Sequence, residues 1–153
     1  MEGLTLGLTI AAAVIIVVGV GLGIVFSVFF QNMKSAGMER IQEQFPTEEI
    51  VRSEQTANFL GLKSRGRGQI RGNGVLALTR KELWFSRFVI RDDISIPTES
   101  IQEVRLVDSH LGKRIFGRQL LYVCFLTSDT IDAAAWLVAD PYGWKRVIDL
   151  IKE

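Results

Sequence analysis

The distribution of apolar and polar positions divides the chain into three stretches before any motif is considered. From Leu4 to Phe30, "LTLGLTIAAAVIIVVGVGLGIVFSVFF", no charged residue occurs, and every charged residue except Glu2 lies beyond Met33. A helix over that run would extend roughly 40 Å at about 1.5 Å per residue, more than the roughly 30 Å hydrocarbon core of a bilayer requires. A cleaved signal peptide predicts a basic start and an apolar run of about 7 to 15 residues. Here the chain opens "MEG" and the run is far longer, so residues 1–30 read as a retained transmembrane anchor. Residues 31–49 are polar, with Met33, Met38, Ile41 and Phe45 at a loosely helical spacing. They predict a juxtamembrane helix or stalk that Pro46 brings to an end.

Beyond residue 50 the pattern turns strand-like. "GVLALTRKELWFSRFVI" holds two β-rich apolar runs, Val75 to Leu78 and Leu83 to Ile90, joined by polar residues, which predicts a hairpin. "DISIP" and "IQEVRLVD" predict two short strands, with Pro97 ending the first. "LLYVCFLTS" and "TIDAAAWLV", separated by a turn at Ser128-Asp129, predict another pair. With residues 50–60, about seven strands are expected.

The last segment changes period. Asp140 is placed to cap the free amides of a helix start and Pro141 suits the first helical position. Trp144, Val147, Ile148 and Ile151 then fall on one face of an amphipathic helix. The expected fold class is therefore mainly β with a C-terminal α-helix: residues 50–153 form a small barrel or two orthogonal sheets, closed at one end by that helix.

Charge adds orientation. The 153 residues carry 18 Lys and Arg against 17 Asp and Glu, a net charge of +1. Lys34 and Arg40 follow the apolar run and no Lys or Arg precedes it, which predicts an N-terminus outside the cell membrane and a cytoplasmic C-terminal domain. A single cysteine and the lack of any Asn-x-Ser/Thr sequon agree with a reducing compartment. So balanced a charge, with no aromatic residues among the cations, argues against nucleic acid as a partner.

Catalytic chemistry has few residues to work with. A nucleophile needs a positioned base, yet His110 and Cys124 are the only residues of their types. His110 is expected exposed in a loop and Cys124 buried in a strand. One of each cannot supply a tetrahedral zinc site. The acidic pairs Glu48-Glu49 and Asp92-Asp93 read as solvated turns. No enzyme activity, metal or cofactor is expected.

Several short motifs resemble the pleckstrin-homology superfamily, in particular bacterial PH-like and GRAM-like domains: Leu78-Thr79 with Leu83 to Phe85 in the hairpin, then Ile96-Pro97 and Ile101 to Val104, then "DPYGWKRVIDLI" as a final helix. The resemblance covers about residues 50–153 and implies a PH-like small barrel. It marks core and turn positions and so speaks for fold more than for function. In lipid-binding members, the loop between the first two strands carries a Lys followed by Arg/Lys-x-Arg that contacts phosphorylated headgroups. Lys63 and Arg65-Gly66-Arg67 have that spacing within "GLKSRGRGQIRGNG", residues 61–74, a stretch that also holds Arg71 and no acid.

Glycines let backbone approach a phosphate and arginine holds it with paired hydrogen bonds. Lys113, Arg114 and Arg118 form a second basic group in another inter-strand loop. The sequence thus offers two binding roles for a membrane-anchored module: contact with anionic lipid headgroups through these seven cations, or docking of a protein partner with the basic loop incidental. Against both stands a loop that is only a solvated connector.

Overall fold

The structure, a computed structural model, describes residues 2–90 and 92–152; Met1, Arg91 and Glu153, which include the end members of the 1–30 and 50–153 segments, lie outside the described residues. The chain divides into two compact units, Met1–Ser35 and Ala36–Glu153. Helix α1 spans Glu2–Gln44. Its large apolar side chains from Ile10 to Phe29, such as Ile15, Val17 and Phe26, are exposed, and the helix is long and apolar enough to cross a membrane.

Among the described residues, the second unit contains the last turns of α1, nine strands and helix α2. The strands are β1 (Arg52–Leu62), β2 (Gly72–Leu78), β3 (Glu82–Arg87), β4 (Ile94–Pro97), β5 (Ile101–Val107), β6 (Ser109–His110), β7 (Lys113–Arg114), β8 (Leu120–Leu126) and β9 (Ile131–Leu137), and α2 is Pro141–Lys152. Seven of them build one antiparallel sheet in the order β4-β3-β2-β1-β9-β8-β5, while β6 and β7 form a separate two-residue ladder. The seven long strands match the expected number. The β6–β7 hairpin, too short to leave a periodic signature, was not anticipated.

Strand β1 joins the two halves of the sheet. Its first part pairs with β2 from Arg52↔Leu78 to Phe59↔Gly72, and its last part pairs with β9 from Asn58↔Leu137 to Leu62↔Ala134. The barrel expected from the sequence is not closed, because β4 and β5 are both edges. Strand β4 ends at Pro97, which has no amide to donate, and a 3-10 turn over Thr98–Ser100 follows at once. Strands β4 and β5 do not pair, and α2 packs against β5, β8 and that turn.

Alternate residues of the strands meet in the main core: Leu76 and Leu78, Leu83 and Phe85, Ile94 and Ile96, Leu121, Val123 and Phe125. Phe59, Phe85 and Trp136 sit at its centre with ring centroids 5.2 to 6.0 Å apart. Helix α2 adds buried Trp144 and Ile148, with Val147 and Ile151 packed beside them, the stripe expected from the sequence. The side chain of Asp140 accepts from the Gly143 amide at 2.9 Å and caps the helix.

A second cluster lies elsewhere in this unit. Val75, Ala77 and Trp84 pack with Ile41 and Phe45 from the end of α1, and the Phe45 ring meets Trp84 edge-on at 5.6 Å. This explains why β2 is a continuous apolar run and not an alternating one: both of its faces are covered. The stalk is therefore packed onto the sheet from Gly37 onward. Arg40 reinforces the contact by donating to the Arg87 carbonyl at 2.6 Å.

Candidate functional site

The basic loop between β1 and β2 runs from residue 63 to 71, and it is held by specific bonds at both ends. Where β1 finishes, the Lys63 amide donates to the Ala133 carbonyl at 2.7 Å, and the Ser64 amide donates to buried Asp132 at 2.9 Å. Tight turns follow, with Arg65 and Gly66 amides bonded back to Leu62 and Lys63 carbonyls. Gln69 then folds inward: its Oε1 accepts from the Leu62 amide, and its Nε2 donates to the Leu62 carbonyl, both at 2.7 Å. Gly61 makes room for it. With φ at +122°, Gly61 presents a surface where any Cβ would lie 2.7 Å from the Gln69 carboxamide, so a side chain here meets both strain and a clash.

Two neighbouring loops complete the site. On one side, Asp92 accepts from Arg65 at 3.0 Å and from buried Arg87, while Arg87 also donates to the Ile70 carbonyl at 2.6 Å. This ties the basic loop to the β3–β4 connection. On the other side, the Arg67 guanidinium lies over Gly112, where a Cβ would sit 3.2 Å from its Cζ. Leu111 and Gly112 both have positive φ, 49° and 76°, and form the turn that reverses β6 into β7.

His110 is under this turn, not exposed as the sequence suggested. It is buried, and its Nε2–H donates to the Gly61 carbonyl at 2.9 Å; a carbonyl only accepts, so the proton is on Nε2. Its ring meets Tyr122 edge-on at 5.6 Å. Burial lowers the imidazole pKa below its ordinary value, the Gly61 bond opposes that, and the charges of Arg71 and Lys63 push it further down against Asp132. No sequence pattern marked this histidine as buried, because the two-residue ladder that folds it back has no periodicity. Cys124 is half-buried in β8, not enclosed.

The seven candidate cations therefore separate into three settings. Lys63, Arg67, Arg71 and Lys113 belong to the surroundings of His110 and Gly112: Lys63 and Arg71 act on the imidazole through their charge, Arg67 covers the turn, and Lys113 pairs with His110 across the ladder. Arg71 also has a buried Nε without a hydrogen-bond partner. Arg65 is engaged with Asp92. Arg114 and Arg118 line a surface hollow of about 250 Å³ beside the outward-pointing Phe116, and Arg118 reaches the Val138 carbonyl at 3.2 Å. The structure brings Arg67 of the first basic group beside Gly112, next to Lys113 of the second, while Arg118 is engaged with the Val138 carbonyl and Arg114 lines the hollow.

No protein-family model matches the chain, and no curated protein does. Among solved structures, the C-terminal domain of an unknown protein from Leishmania infantum is similar at a TM-score of 0.47 and 14% identity, over 68% of this chain and 84% of that one.

Proposed function

We propose that this protein is a single-pass membrane-anchored binding module of PH-like fold, whose β1–β2 loop contacts the headgroups of an anionic leaflet. The observation that carries the reading is the gathering of Lys63, Arg67, Arg71 and Lys113 at one turn, with the Arg71 Nε buried and unpartnered. Cations gathered at one turn repel one another, and an anionic headgroup beside them offsets that repulsion. Asp132, whose charge acts on His110, already accepts from Ser64 and from the Ala133 amide. The seven-stranded antiparallel sheet with a C-terminal helix packed against β5 and β8 supports the PH-like assignment.

Affinity need not be high. Each Lys or Arg near an anionic leaflet contributes about 1 kcal/mol, and an anchor that keeps the domain at the surface supplies effective concentration. The cations at the exit of the apolar run, Lys34 and Arg40, favour the cytoplasmic leaflet. The role is binding, not catalysis.

A second reading, docking of a protein partner, is favoured by one feature: β4 and β5 are sheet edges, and an edge is a template for another strand. The two readings separate in one experiment. The full chain in mild detergent is titrated with phosphatidylglycerol or phosphatidylcholine and followed by native mass spectrometry. It is expected to retain phosphatidylglycerol preferentially, and to lose that preference when Lys63, Arg67, Arg71 and Lys113 are all changed to Gln. Equal retention of both lipids by both proteins would contradict the headgroup reading and favour the partner.

A further inference from the structure

Three apolar side chains stand out from the sheet beside the cations. Val89 is 94% exposed, Ile70 60% and Ile90 41%. They belong to one edge, because Arg87 at the end of β3 holds the Ile70 carbonyl and Asp92, just beyond Ile90, holds Arg65. Isolated exposed apolar residues are ordinary. Three on the tips of two bonded loops, flanked by Arg65 and Arg71, form an amphipathic edge of the kind that lies in a membrane interface, with cations at headgroup level and aliphatic groups below them.

The packing of the stalk distinguishes the two ends of the β2–β3 hairpin. Within the second unit, Gly37 sits against Val75 near the start of β2 and Arg40 holds the carbonyl of Arg87 at the end of β3. Ile41 and Phe45, further along the helix, pack with Ala77 and Trp84. The helix thus enters at the β3–β4 loop end of the hairpin and leaves toward the β2–β3 turn. The β2–β3 turn at Arg80 and Lys81 is at the far end of β3, about 20 Å away for a six-residue strand.

We propose that Val89 and Ile90, with Ile70 beside them, insert as an apolar wedge into the same anionic leaflet that the basic loop contacts. The inference rests on the headgroup reading above, since Arg65 and Arg71 would then neutralise the surface through which the wedge enters. A second copy of the chain is a poorer occupant, because two such edges would bring their own cations face to face.

The test uses the full chain in lipid nanodiscs, on a Cys124→Ser background, with an environment-sensitive nitrobenzoxadiazole label at Val89→Cys or, as control, at Lys81→Cys. On nanodiscs containing phosphatidylglycerol, the label at 89 is expected to shift to shorter emission wavelength and be quenched by spin-labelled acyl chains, whereas the label at 81 keeps its aqueous spectrum. Amide exchange across residues 63–71 is followed in the same samples. Should the label at 89 remain aqueous while that exchange still responds to lipid charge, the wedge is wrong and the headgroup contact stands. Should neither respond, the headgroup reading fails and the wedge with it. Changing Val89 and Ile90 to Asp, both solvent-exposed, provides a variant that keeps the fold and is expected to abolish the lipid-dependent slowing of exchange in the β3–β4 loop.

Discussion

The side-chain carboxamide of Gln69 makes to Leu62 the pair of hydrogen bonds that a neighbouring strand would make, accepting one from its amide and donating one to its carbonyl, both at 2.7 Å. A further bond from Gln69 to the Gly66 carbonyl at 2.6 Å closes the turn. A loop rich in glycine is thereby given a fixed shape, and its cations a fixed place. Replacing Gln69 with Ala leaves the Leu62 groups to water and is expected to cost about 1 to 3 kcal/mol. Hydrogen exchange should show the change first at Leu62 and then across residues 63–71, with the amides of β2 unaffected.

The end of α1 should be just as sensitive to size at one point. A Cβ on Gly37 would lie 2.8 Å from a Val75 methyl and 2.9 Å from the Gln55 carbonyl oxygen, and the backbone oxygen cannot move aside without disturbing β1. Overpacking of this kind costs about 1 to 3 kcal/mol. Gly37→Val is expected to lower the melting temperature and to expose Trp84, which would appear as a red shift of tryptophan emission.

Helix α2 closes the open side of the sheet through Trp144, which is fully buried. Trp144→Ala removes the largest side chain of that contact and is expected to destabilise by about 3 to 5 kcal/mol. Thermal unfolding followed by circular dichroism at strand wavelengths measures it.

Much of this architecture was legible in the sequence. Short β-rich apolar runs bounded by turn residues placed β2, β3 and β8, and the stripe Trp144, Val147, Ile148 and Ile151 placed α2 and its buried face. Ile41 and Phe45 read as a loose stalk because their partners, Val75, Ala77 and Trp84, are thirty or more residues away. The unbroken apolar run of β2 carried the signal, since a strand apolar on both faces needs two covers. The cations were legible as a group, but their division was not. That Arg65 belongs to Asp92, or that Arg67 covers Gly112, depends on side chains folded back from other loops, which neither spacing nor composition encodes.

His110 gives the fold a pH dependence. Its folded pKa lies below the unfolded value of about 6.5 because burial, assisted by Arg71 and Lys63, disfavours the imidazolium. The unfolded chain then binds more protons than the folded one as pH falls, so stability is fully present above about pH 6.5 and declines as the pH drops from there toward the folded pKa. His110→Gln keeps a donor for the Gly61 carbonyl and has no proton to gain. Denaturant midpoints measured between pH 7.5 and pH 5 are expected to fall for the native chain more steeply than for this variant.

The contact between the basic loop and an anionic leaflet is tested most directly by amide hydrogen exchange of residues 63–71 in the full chain, embedded in nanodiscs of phosphatidylcholine with or without phosphatidylglycerol. Surface electrostatics acts within about 8 Å at physiological ionic strength and about 3 Å at 1 M, so salt provides an internal control. The account expects exchange to slow on the anionic bilayer at low salt, to recover at high salt, and to show neither effect when Lys63, Arg65, Arg67 and Arg71 are all changed to Gln. Identical exchange on neutral and anionic bilayers at every salt concentration would contradict it.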